Sequence, residues 1–311
     1  MQDILRATLA DRAVLEEARL RSLAFARAHR ASDAVRHAEA ALAGLDAADA
    51  EAVARQATLL LDDASWVRVL LAPMVAALDR DPWFEPPLRV QREGGRIGAV
   101  LFEHPVLTIT GSVVAPPARP ADSLVVPGRM SVVRYQRGSG QILLWRTEVA
   151  GPDFRAASAP PLVPAGAVRL RDGLVRRIDG RTHAQAIEGA RAPLVMITAT
   201  IAADAAPFAR DFDRASGRLL RVAALDHGAS RAQLLLAYLR AARRVDAAPA
   251  FEIATRAPAY FLRWAAMREW LALDARAALP RLRELAHDTN AEVRTAARAT
   301  LPQVEAALAC R

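Results

Sequence analysis

Histidine and arginine are the side chains of this sequence with the widest scope for chemistry. The chain has six histidines, and one of them, His183, follows the turn glycine Gly180 and precedes an apolar run over 193–197. An imidazole can ligate a metal ion, transfer a proton near neutral pH or hydrogen-bond within a core. All 42 basic residues are arginine, whose planar guanidinium groups bind carboxylates and phosphates by paired hydrogen bonds. The residue types therefore pose a choice between a metal site and an anion-binding site.

Several reaction classes are excluded by what the sequence lacks. Because it contains no lysine, it has no P-loop lysine, no kinase-type phosphate lysine and no Schiff-base lysine for pyridoxal chemistry. Neither a G-x-S-x-G elbow nor a G-x-G-x-x-G loop occurs. The single cysteine, Cys310, is next to the last residue, which excludes a disulfide framework and a multi-cysteine zinc site.

The composition is that of a soluble globular protein. Apolar residues make up 53% of the 311 residues and charged residues 24%, and this length favours two or three modules. No uncharged apolar run reaches the roughly 18 residues of a membrane-spanning helix. The first residues carry acidic groups and no apolar core of a secretory signal. We therefore expect a cytoplasmic protein without a membrane partner.

Residues 1–83 are predicted to be helical. Val35, Ala38, Leu42 and Leu45 follow an i, i+3, i+7, i+10 spacing that gives one buried stripe. The proline-rich run over 81–87 then breaks any helix and marks a boundary. With 10 arginines and 13 acidic residues, this region has a net charge of −3.

Residues 88–225 are predicted to form a β-domain. The runs over 131–135 and 141–145 flank a glycine-containing turn and predict a hairpin, and the runs over 167–171 and 174–178 predict a second. Short strands with glycine and proline turns are typical of an antiparallel sandwich or barrel. The sequence predicts an α+β protein, because residues 228–311 return to a helical pattern.

The C-terminal region, residues 228–311, resembles HEAT-type helical repeats. The resemblance rests on Asp288 followed by Val293-Arg294, which matches the Asp-x4-Val-Arg pattern of these repeats. In that pattern Asp288 is expected to cap the next helix and Val293 to pack inward. The resemblance implies a packing or binding surface rather than a catalytic one. The predicted seam contains Leu262, Ala266, Leu282, Leu285, Val293 and Ala297.

The stretch from Gly173 to His183 is similar to the second half-motif of cupins. There a glycine, a short strand, a turn glycine and a histidine bring an imidazole into the mouth of a small barrel. The resemblance covers roughly residues 90–215, and it implies that His183 lies inside a cupin-like barrel. The sequence departs from the pattern at Asp179, which stands where the turn proline is usual, and the spacing is one residue shorter.

The first metal motif of cupins is missing. Metal-binding cupins take two histidines and a glutamate from an earlier strand, but the stretches 124–134 and 141–148 contain no histidine. The charged side chains over 122–148 are two carboxylates, Asp122 and Glu148, and otherwise arginines, which stay protonated and are not metal ligands. The standard three-histidine set therefore cannot be assembled there.

A non-standard metal set remains open. Glu103-His104 ends an earlier strand, and in a barrel His104 is able to approach His183. Two histidines with a carboxylate from Glu103, Asp122 or Glu188 make the facial set suited to non-haem iron. By alternation along its strand His183 shares a face with Gln185 and Ile187, while Glu188 lies on the other face, so Glu103 or Asp122 is the expected carboxylate.

Three functions follow from these features. The preferred hypothesis is an accessory or regulatory protein that binds a peptide or protein partner, or a small anionic ligand, through the cupin-like barrel and the HEAT-like helices. Five residues at the barrel mouth are predicted to bind the ligand: His183, Arg134, Tyr135, Arg129 and Arg146. Arg169 and Arg176 are further arginines that could line the same mouth. Since Arg134 shares a strand face with Val132, not all these arginines point inward.

The alternative is a metal-dependent cupin-type oxygenase that binds Fe(II) or zinc through His104, His183 and Glu103. Under the other hypotheses the sequence indicates no known cofactor. The third hypothesis is nucleic-acid binding by the basic body, which carries +6 over 84–227 and +5 over 228–311. Aromatic residues are only 5% of the chain, too few for a base-stacking pattern. Whether the protein is an enzyme, its ligand and its oligomeric state are left open by the sequence.

Overall fold

The computed structural model describes residues 12–93, 95–116, 121–151 and 154–309. Cys310 and the first eleven residues lie outside this range. The chain divides into two compact units, one made of 1–147, 162–205 and 212–217, the other of 148–161, 206–211 and 218–311. The N-terminal helices thus belong to the same unit as most of the strands. The expected α+β order is confirmed: helices, then antiparallel strands, then helices.

Among the described residues, the first unit has four N-terminal helices: α1 (Arg12–Arg30), α2 (Asp33–Leu42), α3 (Ala50–Asp62) and α4 (Ser65–Arg80). Side-chain oxygens stabilise two of their N-termini, since Ser32 Oγ accepts from the amide of Val35 at 3.4 Å and Asp49 Oδ1 from that of Ala52 at 2.8 Å. The predicted stripe is confirmed, because its four residues all pack in one core. None of the described helices is both long and apolar enough to cross a membrane.

A six-stranded antiparallel sheet lies against these helices. Its strand order is β1-β2-β3-β10-β5-β8. The members are β1 (Val90–Glu93), β2 (Arg96–His104), β3 (Leu107–Val114), β5 (Met130–Arg137), β8 (Leu174–Asp179) and β10 (Leu194–Ile201). One face of the sheet, including Ile109, Val132 and Ile197, packs on Leu61 and Leu70 of the helices. The helices therefore cover one side of the sheet.

The other side of the six-stranded sheet faces a three-stranded sheet of order β7-β6-β9. Its strands are β6 (Gly140–Arg146), β7 (Val163–Leu170) and β9 (His183–Glu188), and the short strand β4 (Ser123–Val126) belongs to the same unit. Val133, Tyr135 and Met196 of the first sheet share a core with Ile142 and the partly buried Ile187 of the second. Over the described strands both sheets are open, so the arrangement is a sandwich, and a closed barrel stays a prediction.

Both predicted hairpins are wrong. β5 pairs with β10 and β8, whereas β6 pairs with β7 and β9, so the strands on either side of each predicted turn belong to different sheets. Tyr135 and Ile142 belong to one core but come from different sheets, so they are not cross-strand neighbours. At the change of sheet Gly140 has φ +127°, and a Cβ atom there would collide with the carbonyl oxygen of Glu188. A glycine turn between two strands predicts a change of direction, but it does not predict the pairing partner.

The second unit contains the C-terminal helices, which are α5 (His227–Ala241), α6 (Ala248–Ala254), α7 (Tyr260–Leu273), α8 (Ala275–Leu285) and α9 (Ala291–Ala309). Residues Phe208 to Asp211 of β11 (Phe208–Asp213) belong to this unit, and β11 pairs with β12 (Leu219–Ala224). The six predicted seam residues are all buried in one helical core. HEAT-type repetition of these helices stays a prediction.

The prediction that Asp288 caps the last helix is wrong. The amides of Glu292 and Val293 donate to Asn290 Oδ1, at 3.0 and 3.2 Å. Asp288 instead forms an ion pair with Arg263, with 2.7 Å between Nη2 and Oδ1. Asn290 is therefore the residue that caps α9, and Asp288 ties the start of α9 to α7.

Candidate functional site

His183 is the first residue of β9 and points between the two sheets. It lies opposite Arg146 of β6, and Gln185 and Ile187 follow on the same face of the strand. Ile187 packs in the core between the sheets, so this face is the inner one. As predicted, Glu188 lies on the other face, where it forms an ion pair with Arg214.

The turn before His183 depends on a close backbone approach. A Cβ atom on Gly180 would collide with the carbonyl oxygen of Arg129. The amide of Gly128 donates to the carbonyl of Gly180 at 2.7 Å. Glycine is therefore required here for space rather than for an unusual φ. The turn also engages the imidazole, since His183 Nδ1 lies 2.8 Å from Thr182 Oγ1 and 3.3 Å from the carbonyl oxygen of Asp179.

Tyr135 lies on the same interior and is fully buried. Its hydroxyl donates to Gln185 Oε1 at 3.3 Å. Burial raises the pKa of the Tyr135 phenol to about 12, and the charge of Arg176 and the hydrogen bond to Gln185 offset only part of that rise. Tyr135 is therefore a neutral phenol over the whole physiological range, able to donate a hydrogen bond but not to serve as a base.

Arg176 brings a positive charge to this interior. It stands on β8 between Leu174 and Ile178, both of which belong to or pack on the core between the sheets, so alternation places Arg176 on the inner face. Its charge acts on the phenol of Tyr135. Its Nε atom is buried and has no hydrogen-bond partner among the described residues. A buried donor without a partner costs about 1–3 kcal/mol, so an acceptor at this position would be stabilising.

These four residues, Tyr135, Arg176, His183 and Gln185, form what we call the inner polar cluster. Gln185 was not among the predicted site residues, although its position two residues after His183 on one strand face was a sufficient signal. Arg176 was named only as one of several arginines. Alternation with Leu174 and Ile178 identifies it as the inward one.

The other predicted arginines lie elsewhere. Arg134 is on the helix-facing side of β5, where its Nη1 donates to the carbonyl oxygens of Leu61 at 2.9 Å and Asp62 at 2.6 Å. It thus fastens the sheet to α3. Arg146 is exposed beside His183, and Arg129 is partly buried at the Gly180 turn with interactions of its own.

The proposed metal ligands are not brought together. His104 pairs with Leu107, whose side chain faces the helices, and its ring lies parallel to that of Phe102 with 6.2 Å between centroids. His183 faces the interior on the opposite side of that sheet. Glu103 forms an ion pair with Arg89 at 2.7 Å, and no three His, Cys, Asp or Glu side chains within the described ranges are placed to hold a metal. These residues do not fit a metal centre.

Comparison with known proteins assigns no family. No protein-family model matches the chain, and no curated protein matches it in sequence. Similar solved structures include CapF bound to an inhibitor, 15% identical, with 38% of this chain and 31% of CapF covered and a TM-score of 0.26. Hydroxypropylphosphonic acid epoxidase from S. wedmorenis is 12% identical, with 37% of this chain and 55% of the epoxidase covered and a TM-score of 0.26.

A cupin domain from Bordetella pertussis is 16% identical, with 36% of this chain and 99% of that domain covered and a TM-score of 0.25. The chain thus spans about a third of CapF and just over half of the epoxidase. The matches include a cupin, the family that residues 90–215 resemble. At these identities and TM-scores they establish neither a family nor an activity for this chain.

Proposed function

We propose that this protein binds a small anionic ligand at the inner polar cluster, as an accessory or regulatory protein rather than as a metal-dependent oxygenase. The observation that carries the proposal is Arg176, which lies between Leu174 and Ile178 on the inner face of β8 and whose buried Nε has no partner among the described residues. A partly buried guanidinium whose Nε is buried without an acceptor is stabilised by an opposite charge and a hydrogen bond. A ligand carboxylate or phosphate supplies both.

The surrounding groups suit an anion. A guanidinium binds a carboxylate or phosphate through two parallel hydrogen bonds. The amide group of Gln185 supplies a further neutral donor beside the charge, while its Oε1 accepts from the Tyr135 hydroxyl at 3.3 Å. His183 has Nδ1 engaged by its own turn, so Nε2 is the ring nitrogen that can bind a ligand. None of the four residues is a carboxylate, and Asp179, which interacts with the charge of His183, is itself paired with Arg181, so the charge of Arg176 favours a negative group.

The test is calorimetric titration of the full chain with inorganic phosphate, succinate and glutarate. We expect Arg176→Gln to weaken binding about 10-fold or more, because a hydrogen bond to a charged group contributes about 1.5–3 kcal/mol. The matched control is Arg171→Gln, an exposed arginine in the turn before β8, which should bind as the wild type does. Equal affinities of wild type and Arg176→Gln, or no binding of any of the three anions by the wild type, would overturn the proposal.

A protein partner is a second candidate function, favoured by exposed apolar side chains on the C-terminal helices. Leu234, Leu235 and Tyr238 of α5 are 73%, 63% and 69% exposed, and Ile253 of α6 is 73% exposed. Large exposed apolar patches mark interaction sites. We propose that this surface contacts the peptide or protein partner expected from the HEAT resemblance. If Leu234→Glu and Tyr238→Glu leave the proteins crosslinked to this surface in cell extract unchanged, the idea fails.

A further inference from the structure

A separate cavity of about 410 Å³ lies between α4 and the helix-facing side of the six-stranded sheet. It is on the opposite side of that sheet from the inner polar cluster. Its wall is almost entirely apolar: Val67 and Leu71 come from α4, Leu88 precedes β1, and Ile97 and Val195 come from the sheet. A cavity of about 300–1,000 Å³ lined by apolar side chains is the usual form of a small-molecule site.

The sequence creates this cavity by placing small residues opposite α4. Ala99 and Gly111 are cross-strand partners on β2 and β3, and Gly111 also pairs with Ile197 of β10. The gap between helix and sheet is therefore left open where larger side chains would close it. At the edge of the cavity the side chains of Ile97 and Val113 are 51% and 46% exposed. Exposing these apolar side chains to water is unfavourable, and the helices cover the rest of this sheet face.

Two polar side chains border the apolar wall. Arg68 of α4 is exposed, and it forms no ion pair with any residue that the structure describes. Gln136 of β5 accepts from Arg134 Nε at 2.7 Å through Oε1, which leaves its amide group as a donor. The cavity thus combines an apolar interior with one positive charge and one amide donor at the rim.

We propose that this cavity binds an amphiphilic monocarboxylate, with the apolar tail between α4 and the sheet and the carboxylate on Arg68. Burial of the tail against Val67, Leu71 and Val195 supplies most of the affinity, because removing apolar surface from water is the dominant favourable contribution. The guanidinium supplies selectivity for an acidic over a basic head group. The site is independent of the inner polar cluster.

The test compares two probes with the same tail, decanoate and decylamine, by calorimetric titration of the full chain. We expect the wild type to bind decanoate more tightly than decylamine. Arg68→Glu should weaken decanoate binding about 10-fold or more and strengthen that of decylamine. Arg55→Glu, which reverses an exposed charge on α3, is the matched control and should change neither affinity. Arg176→Gln should also leave decanoate binding unchanged, which separates the two sites.

A cavity-filling variant tests the location. Ala99→Leu should abolish binding of both probes without lowering the melting temperature, since the added side chain occupies space that is empty. Methyl resonances of Val67, Leu71, Ile97 and Val195 in the wild type should shift on addition of decanoate. The proposal is overturned if those methyl groups do not shift, if the folded Ala99→Leu variant still binds, or if Arg68→Glu leaves the preference between the two probes unchanged.

Discussion

Asp288 is held by an ion pair whose loss should destabilise the C-terminal helices. Its two carboxylate oxygens accept from Arg263, at 3.0 Å from Nε and 2.7 Å from Nη2. Only 13% of the Arg263 side chain and 7% of the Asp288 side chain are exposed. Asp288 also accepts from the amide of Asn290 at 2.8 Å. Asp288→Ala removes one partner of a buried, bidentate pair and leaves a positive charge in place.

The expected loss in free energy of unfolding is about 3 kcal/mol. Removing one partner of a buried ion pair costs about 3–5 kcal/mol. The lower end applies because Arg263 Nη1 keeps its hydrogen bonds to the carbonyl oxygens of Ala257 and Pro258, both at 3.0 Å. The matched control is Asp246→Ala, which removes an equally bidentate pair with Arg244 whose side chains are 63% and 59% exposed. An exposed pair contributes about 0–1 kcal/mol.

The destabilisation should depend on pH in a defined way. Burial acts to raise the pKa of Asp288, but hydrogen bonds from Arg263 and from the amide of Asn290, together with the charge of Arg263, lower it on balance. A carboxyl group whose pKa is lower in the folded state contributes stability that is complete above its unfolded pKa of about 3.9 and is lost as the pH falls through the folded pKa. The difference between wild type and Asp288→Ala should therefore be constant from neutral pH to about pH 5 and shrink below pH 4.

Amide hydrogen exchange on peptides from α7, α8 and α9 measures this local stability directly. The reasoning is refuted if Asp288→Ala costs no more than Asp246→Ala at neutral pH. It is also refuted if the full difference between wild type and Asp288→Ala persists at the lowest pH where the wild type stays folded.

Three further predictions concern the core, the metal and the charge. Val293 is 1% exposed in the helical core, so Val293→Asp should destabilise by several kcal/mol, and an unchanged thermal melt would contradict the assignment. Metal analysis should give the same result for wild type and His183→Ala. A stoichiometric metal that is present in the wild type and lost in the variant would support the oxygenase alternative over our proposal. Any retention of the protein on heparin should weaken as salt rises, because exposed charges are screened within about 10 Å at 0.1 M; retention that ignores ionic strength would count against a role for the arginine-rich surface.

What the sequence by itself determined is local. The apolar spacing of Val35, Ala38, Leu42 and Leu45 predicted the buried stripe near α2, because a helix repeats every 3.6 residues. The strand pattern around His183 predicted that His183 and Glu188 face opposite ways, because a strand repeats every two residues. The turn at Gly180 was predicted too, although its cause is the approach of Arg129 rather than the backbone angle.

Only the tertiary structure decided which side of each strand is the interior. Alternation shows that Arg134 and Tyr135 point in opposite directions. Because the helices cover one side of the sheet, Arg134 bonds to α3, and because the three-stranded sheet covers the other side, Tyr135 lies in the inner polar cluster. In the same way the strand pattern of β5 and β6 was predicted correctly and their pairing was not. A pattern along the chain reports which residues share a face. What covers that face depends on packing between segments distant in sequence, and the polar cluster and the apolar cavity both arise from that packing.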